Sequence, residues 1–207
     1  AFLFGFPRSG TTLLDTMLMG HPDAIVLEEQ PLLEAAAQGL GDPMHLHLRC
    51  DHTLAAARDR YFAALDARAP DAADRLAIDK LPLGIAETAL AHRLFPEARF
   101  VFVERHPCDV VLSCFMTRFD PRGGMANFLQ LEAAARLYDV VMSHWRRCRE
   151  VFPLQVHNVR YERMIEDPEG ELRPLAGFLG LGWDARLADH RPTAAARAPI
   201  GTPSYAQ

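Results

Sequence analysis

Gly5-Phe6-Pro7-Arg8-Ser9-Gly10-Thr11-Thr12 constrains this chain more than any other stretch: two glycines bracket four residues, and a hydroxyl pair follows. That is the frame of a phosphate-binding P-loop with its lysine missing, because Thr11 stands where GxxxxGK[ST] carries Lys. The apolar residues 1–4 before it read as a buried strand, and residues 12–18 after it read as a helix. Strand, glycine loop and helix together aim several backbone N–H groups and a helix N-terminus at one anion. Without the lysine, the loop is a poor holder of a triphosphate with Mg²⁺.

At 207 residues the chain is long enough for one domain with a sizeable core. The net charge of −5 argues against a general nucleic-acid binder, so an anion site has to be a local cluster of cations on an acidic background. Cys50, Cys108, Cys114 and Cys148 show neither CxxC spacing nor a disulfide framework, and read as reduced, buried thiols. His45, His47 and His52 lie near Cys50 but lack the ligand spacing of a metal site, and no metal is expected. No apolar run approaches the ~18 residues of a membrane span, and no signal peptide is visible. A cytoplasmic location is expected. The first residue already lies inside a strand-like run, which points to a missing start or an upstream domain.

Five apolar segments read as strands: residues 1–5, 24–27, 76–78, 99–103 and 154–159. Helical patterns occupy residues 53–68, 83–94, 107–118, 127–152 and 171–179. In the longest of these, Leu129, Ala133, Leu137, Val140, Val141 and Trp145 form one apolar stripe, while Arg146, Arg147 and Arg149 read as a solvated face. Residues 119–125 read as a mobile, lid-like loop and residues 190–207 as an irregular tail. The alternation predicts a single α/β domain over residues 1–207, a three-layer sandwich with a central, mostly parallel sheet of about five strands. In such sheets the ligand crevice lies beyond the strand C-termini.

Each of the first four strand ends carries chemistry: Arg8, Ser9, Thr11 and Thr12; then Glu28 and Glu29; then Asp79 and Lys80; then Glu104, Arg105 and His106. Charged groups at the ends of otherwise apolar strands point to a convergent site. Arg105 is suited to fork onto a phosphate. Ser113 follows it by eight residues, about two helical turns, so a helix that passes the same phosphate would bring a hydroxyl there.

With these residues the chain resembles the sulfotransferases that use 3′-phosphoadenosine 5′-phosphosulfate (PAPS). Residues 5–12 look like that family's 5′-phosphosulfate loop. Residues 105–113, Arg-His-Pro-Cys-Asp-Val-Val-Leu-Ser, look like its 3′-phosphate motif. Tyr161-Glu162-Arg163-Met164-Ile165-Glu166-Asp167-Pro168 and the segment 172–183 are similar to its later signature. The two anion motifs stand in order and about 95 residues apart, a specific signal together and a weak one singly. The pattern is nearest the tyrosylprotein branch and its bacterial relatives.

The resemblance implies PAPS as donor and PAP (3′-phosphoadenosine 5′-phosphate) as product, no metal, and a small-molecule or peptide acceptor bearing a hydroxyl or amine. It implies that Arg8, Ser9, Gly10, Thr11 and Thr12 hold the 5′-phosphosulfate and that Arg105 and Ser113 hold the 3′-phosphate. Tyr161 either packs on the core or reaches the nucleotide. Glu29, the second acid of a Glu-Glu pair, is the candidate general base, with Glu28 as rival. The cytosolic branch carries a His in the run where this chain reads Asp79-Lys80-Leu81-Pro82, and its absence favours a carboxylate. Lys80 is expected to stabilise the leaving oxygen, and Ser204 to touch the sulfate end. A sulfuryl group needs N–H donors and cations rather than a bridging metal, which fits a loop that keeps Arg8 and lacks Lys. The family continues into a stretch that covers the adenosine, beyond the last residue here. Two rival readings stand: a P-loop kinase or nucleotide hydrolase, and a non-catalytic nucleotide-binding domain of the same fold. Acceptor specificity is expected in residues 35–73 and 119–125.

Overall fold

A computed structural model describes residues 1–196. Five strands, β1 (Phe2–Gly5), β2 (Ala24–Glu28), β3 (Leu76–Lys80), β4 (Arg99–Glu104) and β5 (Gln155–Arg160), form one sheet in the order β2-β3-β1-β4-β5. Every pairing is parallel. Parallel strands need crossovers. The chain supplies them with α1 (Thr11–Leu18), α2 (Leu32–Ala37), α3 (Asp51–Arg68), α4 (Thr88–Leu94), α5 (Pro107–Met116) and α6 (Leu131–Val151). After β5 come α7 (Tyr161–Glu166), α8 (Pro168–Leu179) and α9 (Arg191–Ala196). This is a three-layer α/β sandwich of the P-loop type.

The strands sort their side chains by size. Phe2, Phe4, Phe100 and Phe102 face one layer, where Tyr61, Ile85, Leu94 and Trp145 meet them. Leu3, Val101 and Val103 face the other, against Leu14 and Met17 of α1 and Leu172 and Leu175 of α8. Residues buried on both faces of the sheet read as continuous apolar runs, which is why these strands are legible in sequence. Trp145 stacks on Phe102 with ring centroids 4.6 Å apart. A smaller cluster of Phe6, Val110, Cys114, Phe128 and Tyr138 caps the sheet above its C-terminal edge.

The elements differ from the sequence reading in several places. The helix expected over residues 83–94 is a 3₁₀ segment, Pro82–Glu87, followed by α4. The Thr88 hydroxyl donates to Ile85 O over 2.7 Å and closes the joint between them. The helix expected over residues 127–152 is likewise a 3₁₀ segment, Gly123–Leu129, and then α6, separated by the extended Gln130. That break moves the buried face to Ala134, Trp145 and Cys148, and leaves Leu129 and Val140 exposed. Residues 119–125 are packed as well as looped: Phe119 lies against Phe128, ring centroids 5.0 Å apart. Residues 191–196 form α9 where an irregular tail was expected; Pro192 sits in its first turn, where a missing N–H costs no helical bond. Cys114 and Cys148 are buried as expected, while Cys50 and Cys108 are exposed. No helix among the described residues is long and apolar enough to cross a membrane.

Candidate active site

β1 ends at Gly5 and the backbone turns at once, with Ser9 N donating to Phe6 O over 3.0 Å. Arg8 then takes a left-handed backbone, φ 69°, and Gly10 follows with φ 104° as the N-cap of α1. A non-glycine residue at positive φ is strained, and such strain concentrates at functional sites. A Cβ on Gly10 would lie 2.4 Å from Cδ2 of Tyr161, so position 10 admits only glycine on two counts. The first turn of α1 carries no acidic residue, which leaves its positive end unneutralised. Ser9 is 1% exposed, and its Oγ has no hydrogen-bond partner among the described residues.

The second motif folds onto the first. Arg105 leaves β4, and Pro107 opens α5 in its first turn. Arg105 Nη1 donates to the carbonyl of Arg8 over 3.1 Å. Arg8 Nε in turn donates to Ser113 Oγ, also over 3.1 Å. The Arg105 guanidinium lies over the Tyr161 ring, 4.5 Å from its centroid. Tyr161, at the start of α7, therefore lies beside both Gly10 and Arg105. Glu162 Oε1 accepts from His106 N over 2.9 Å and ties α7 to the entry of α5. The Cys114 thiol donates to Pro7 O over 3.2 Å, and burial pushes its pKa up to about 12, so it serves as a neutral donor. Arg105 Nε is buried with no hydrogen-bond partner among the described residues. A cavity of about 710 Å³ opens beside these groups, with Ser9, Arg105, His106, Val110 and Tyr138 in its wall.

The acids gather around one cation. Lys80 is the sole lysine in a chain whose other 21 basic side chains are arginine. Its side chain is 0% exposed, and its ammonium lies 2.9 Å from Glu28 Oε1, 3.2 Å from Glu29 Oε1 and 3.1 Å from Asp15 Oδ2. Burial works against that charge, but Asp15, Glu29 and Glu28 outweigh it and hold the Lys80 pKa above its ordinary value. Glu29 N donates to Lys80 O over 2.8 Å, which extends the β2–β3 ladder by one rung, and Glu29 then turns at φ 49°. Gln30 donates to Glu28 O and accepts from Arg68 Nε, tying this corner to α3. Lys80 also pairs in register with Leu3, two residues before the loop begins. Asp15 stands on α1, so the helix that opens at the glycine loop also forms one wall of the acid cluster.

The structure brings Lys80 together with Glu28 and Glu29, and Arg8 together with Arg105 and Ser113. The ammonium of Lys80 is surrounded by carboxylates rather than left open to a leaving group. Its neighbour Asp79 does not pair with it, but points to the other face and accepts from the Tyr61 hydroxyl over 3.0 Å. Ser204 lies outside the described residues. Asp15 was not singled out in the sequence, and Cys114 and Glu162 were named there without a role in the site. For Asp15 a signal existed: it is the one charged residue in the otherwise uncharged α1.

A model of the sulfotransferase family matches residues 1–185. The chain belongs to the sulfotransferase family. It is 25% identical to protein-tyrosine sulfotransferase 2 of Gallus gallus, over 91% of this chain and 53% of that protein. It is 27% identical to the sulfotransferase domain of the Synechococcus PCC 7002 olefin synthase, with a TM-score of 0.62 over 91% of this chain and 75% of that one. Mouse sulfotransferase SULT7A1, solved in complex with PAP, shares the fold at 19% identity, with a TM-score of 0.53 over 93% of this chain and 62% of that one. The chain spans 28%, 50% and 53% of the length of three of the curated relatives it matches.

Proposed function

We propose that this sulfotransferase-family chain moves a sulfuryl group from PAPS to an acceptor hydroxyl or amine, with a carboxylate as general base. The observation that carries this reading is the pair of left-handed non-glycine residues, Arg8 at φ 69° and Glu29 at φ 49°. The backbone is strained at the expected anion-binding cation and at the expected base, and at no other non-glycine position among the described residues.

The residues present fit such a nucleotide. Buried Ser9 Oγ and Arg105 Nε are left without hydrogen-bond partners among the described residues, and Gly10, with no side chain of its own, lets the Tyr161 ring pack against the loop. The donor, when bound, supplies an activated sulfuryl group and leaves as PAP. The Ser9 hydroxyl, the loop N–H groups from Gly10 to Thr12 and the N-terminus of α1 would hold its 5′ end, and the Arg8 guanidinium would meet the charge that develops there. Arg105 and Ser113 hold the 3′-phosphate, with Tyr161 behind Arg105. Glu29 takes the acceptor proton: its side chain is 38% exposed against 17% for Glu28, and its contact with Lys80 is the longer of the two. Lys80 keeps both carboxylates in place, and reaches a leaving-group oxygen only by giving up one of those contacts. The acceptor is a small molecule or peptide that enters beside Glu29.

The test is thermal unfolding with PAP against AMP and against ATP with Mg²⁺, followed by transfer assays from PAPS to a panel of phenols, tyrosine peptides and alcohols. At a hundredfold excess over Kd, a ligand adds about 2.7 kcal/mol to the folded state, so the shift is readily measured. Stabilisation by PAP well beyond that by AMP supports the reading. Equal shifts with all three nucleotides, or a shift only with ATP and Mg²⁺, overturn it.

A further inference from the structure

Asp15 is wholly buried on α1, one turn past the glycine loop. Its Oδ2 lies 3.1 Å from the Lys80 ammonium, and its Oδ1 accepts from the Thr16 hydroxyl over 3.2 Å. Lys80 is equally buried. A buried ion pair is a poor way to gain stability, because desolvating the two charges offsets their attraction, and an apolar pair of the same volume often does as well or better. What a buried ion pair gives is a fixed position. The ammonium has three N–H donors and no acceptor, and it lies among three carboxylate oxygens, one each from α1, from the end of β2 and from the residue after it. Only the Asp15 contact comes from the helix of the glycine loop. The other two come from Glu28 and from Glu29, the acid proposed to take the acceptor proton.

We propose that Asp15 is a positioning residue: it fixes the Lys80 ammonium, and Lys80 in turn holds the Glu28 and Glu29 carboxylates in register with the glycine loop. This rests on the reading of Glu29 and the loop given above. It goes beyond that reading in making the acid corner and the anion loop one unit, joined through α1. The charged groups that act on Lys80 are those of Asp15, Glu29 and Glu28, and they raise its pKa together. Asp15 therefore couples electrostatically to the chain's one lysine ammonium, which a residue serving only to fill space does not.

Because Lys80 is the sole lysine, its Nζ gives a single lysine side-chain NMR signal that needs no assignment. In Asp15→Asn the Lys80 titration midpoint is expected to fall, with transfer slowed about tenfold or more and PAP affinity held within about twofold. A residue that only fills space would lower the melting temperature and leave the Lys80 titration where it is, and that result overturns the proposal. If Asp15→Asn does not fold, Lys80→Met is compared with the double variant Asp15→Asn/Lys80→Met. Lys80→Met strands the Asp15 carboxylate in the core, so the double variant is expected to melt higher. A double variant that melts no higher overturns the proposal. Neither the NMR nor the melting comparison requires turnover, so a failure of the proposed transfer reaction is distinguishable from a failure of the role given to Asp15.

Discussion

Arg8 Nε donates to Ser113 Oγ over 3.1 Å and so joins two residues 105 positions apart in sequence. That bond, together with the one from Arg105 to the Arg8 carbonyl, makes the two anion motifs one surface. On the function proposed above, Arg8 serves the 5′ end of the nucleotide while Arg105 and Ser113 serve its 3′-phosphate, so the two halves separate by ligand. Arg105→Ala is expected to erase the preference for PAP over AMP. Ser113→Ala is expected to weaken PAP about tenfold, the worth of one hydrogen bond to a charged group. Titration calorimetry with both nucleotides checks this. Equal losses for PAP and AMP in Arg105→Ala would place that residue at the 5′ end instead.

Gly10→Ala tests the loop itself. The left-handed backbone costs an alanine about 1–2 kcal/mol. The new methyl also meets Tyr161 at 2.4 Å, so the ring has to move off Gly10. Urea unfolding is expected to show destabilisation above the backbone cost alone. The excess is expected to vanish when Gly10→Ala is made in a Tyr161→Ala background, because only the backbone cost remains. Full additivity of the two substitutions would mean that the contact carries no energy.

Asp79 supplies a pH dependence. Burial raises its carboxyl from an ordinary 3.8 to about 6, against the opposing hydrogen bond from Tyr61. A raised folded-state pKa means that the folded protein binds the proton more tightly than the unfolded chain. Its contribution to stability is therefore complete below about pH 4 and is lost as pH rises through about 6. The loss amounts to about 3 kcal/mol, because each tenfold difference in proton affinity between the two states is worth about 1.4 kcal/mol. Asp79→Asn keeps an acceptor for Tyr61 and removes the titration. Between pH 4.5 and pH 7 the unfolding free energy is expected to fall further in the wild type than in Asp79→Asn, and parallel curves would refute the assignment.

The sheet was legible because β1 and β4 are buried on both faces and so appear as unbroken apolar runs. The loop chemistry was legible because residues 5–12 and 105–113 carry their meaning locally. What sequence withheld was contact between distant segments. The lone acid of α1 singles out Asp15, but nothing near it says that its partner is Lys80, 65 positions on. Nothing around Lys80 says that three carboxylates close over it. Where helices broke, at the extended Gln130 and at the joint before Thr88, the apolar residues continue on both sides of the break, so periodicity alone does not register it.

Glu28 and Glu29 both touch Lys80, so the choice of base has to be made by variants that spare the geometry. Replacement by Gln keeps the shape and an oxygen for the ammonium, and removes the basic carboxylate. If Glu29 is the base, Glu29→Gln loses about 10²–10⁴-fold in kcat, the usual worth of a general base, while PAP affinity and melting temperature stay near wild type. Glu28, with the shorter contact and the more enclosed side chain, has a different signature. Glu28→Gln weakens the charge pairing of Lys80 and is expected to lower the melting temperature, with a smaller loss in kcat. The pair of variants is read by steady-state transfer assays alongside thermal melts and PAP titrations. A large kcat loss in Glu28→Gln with Glu29→Gln near wild type would exchange the two roles. Activity close to wild type in both would mean that neither carboxylate takes the proton, and that the acceptor reaches the site already deprotonated.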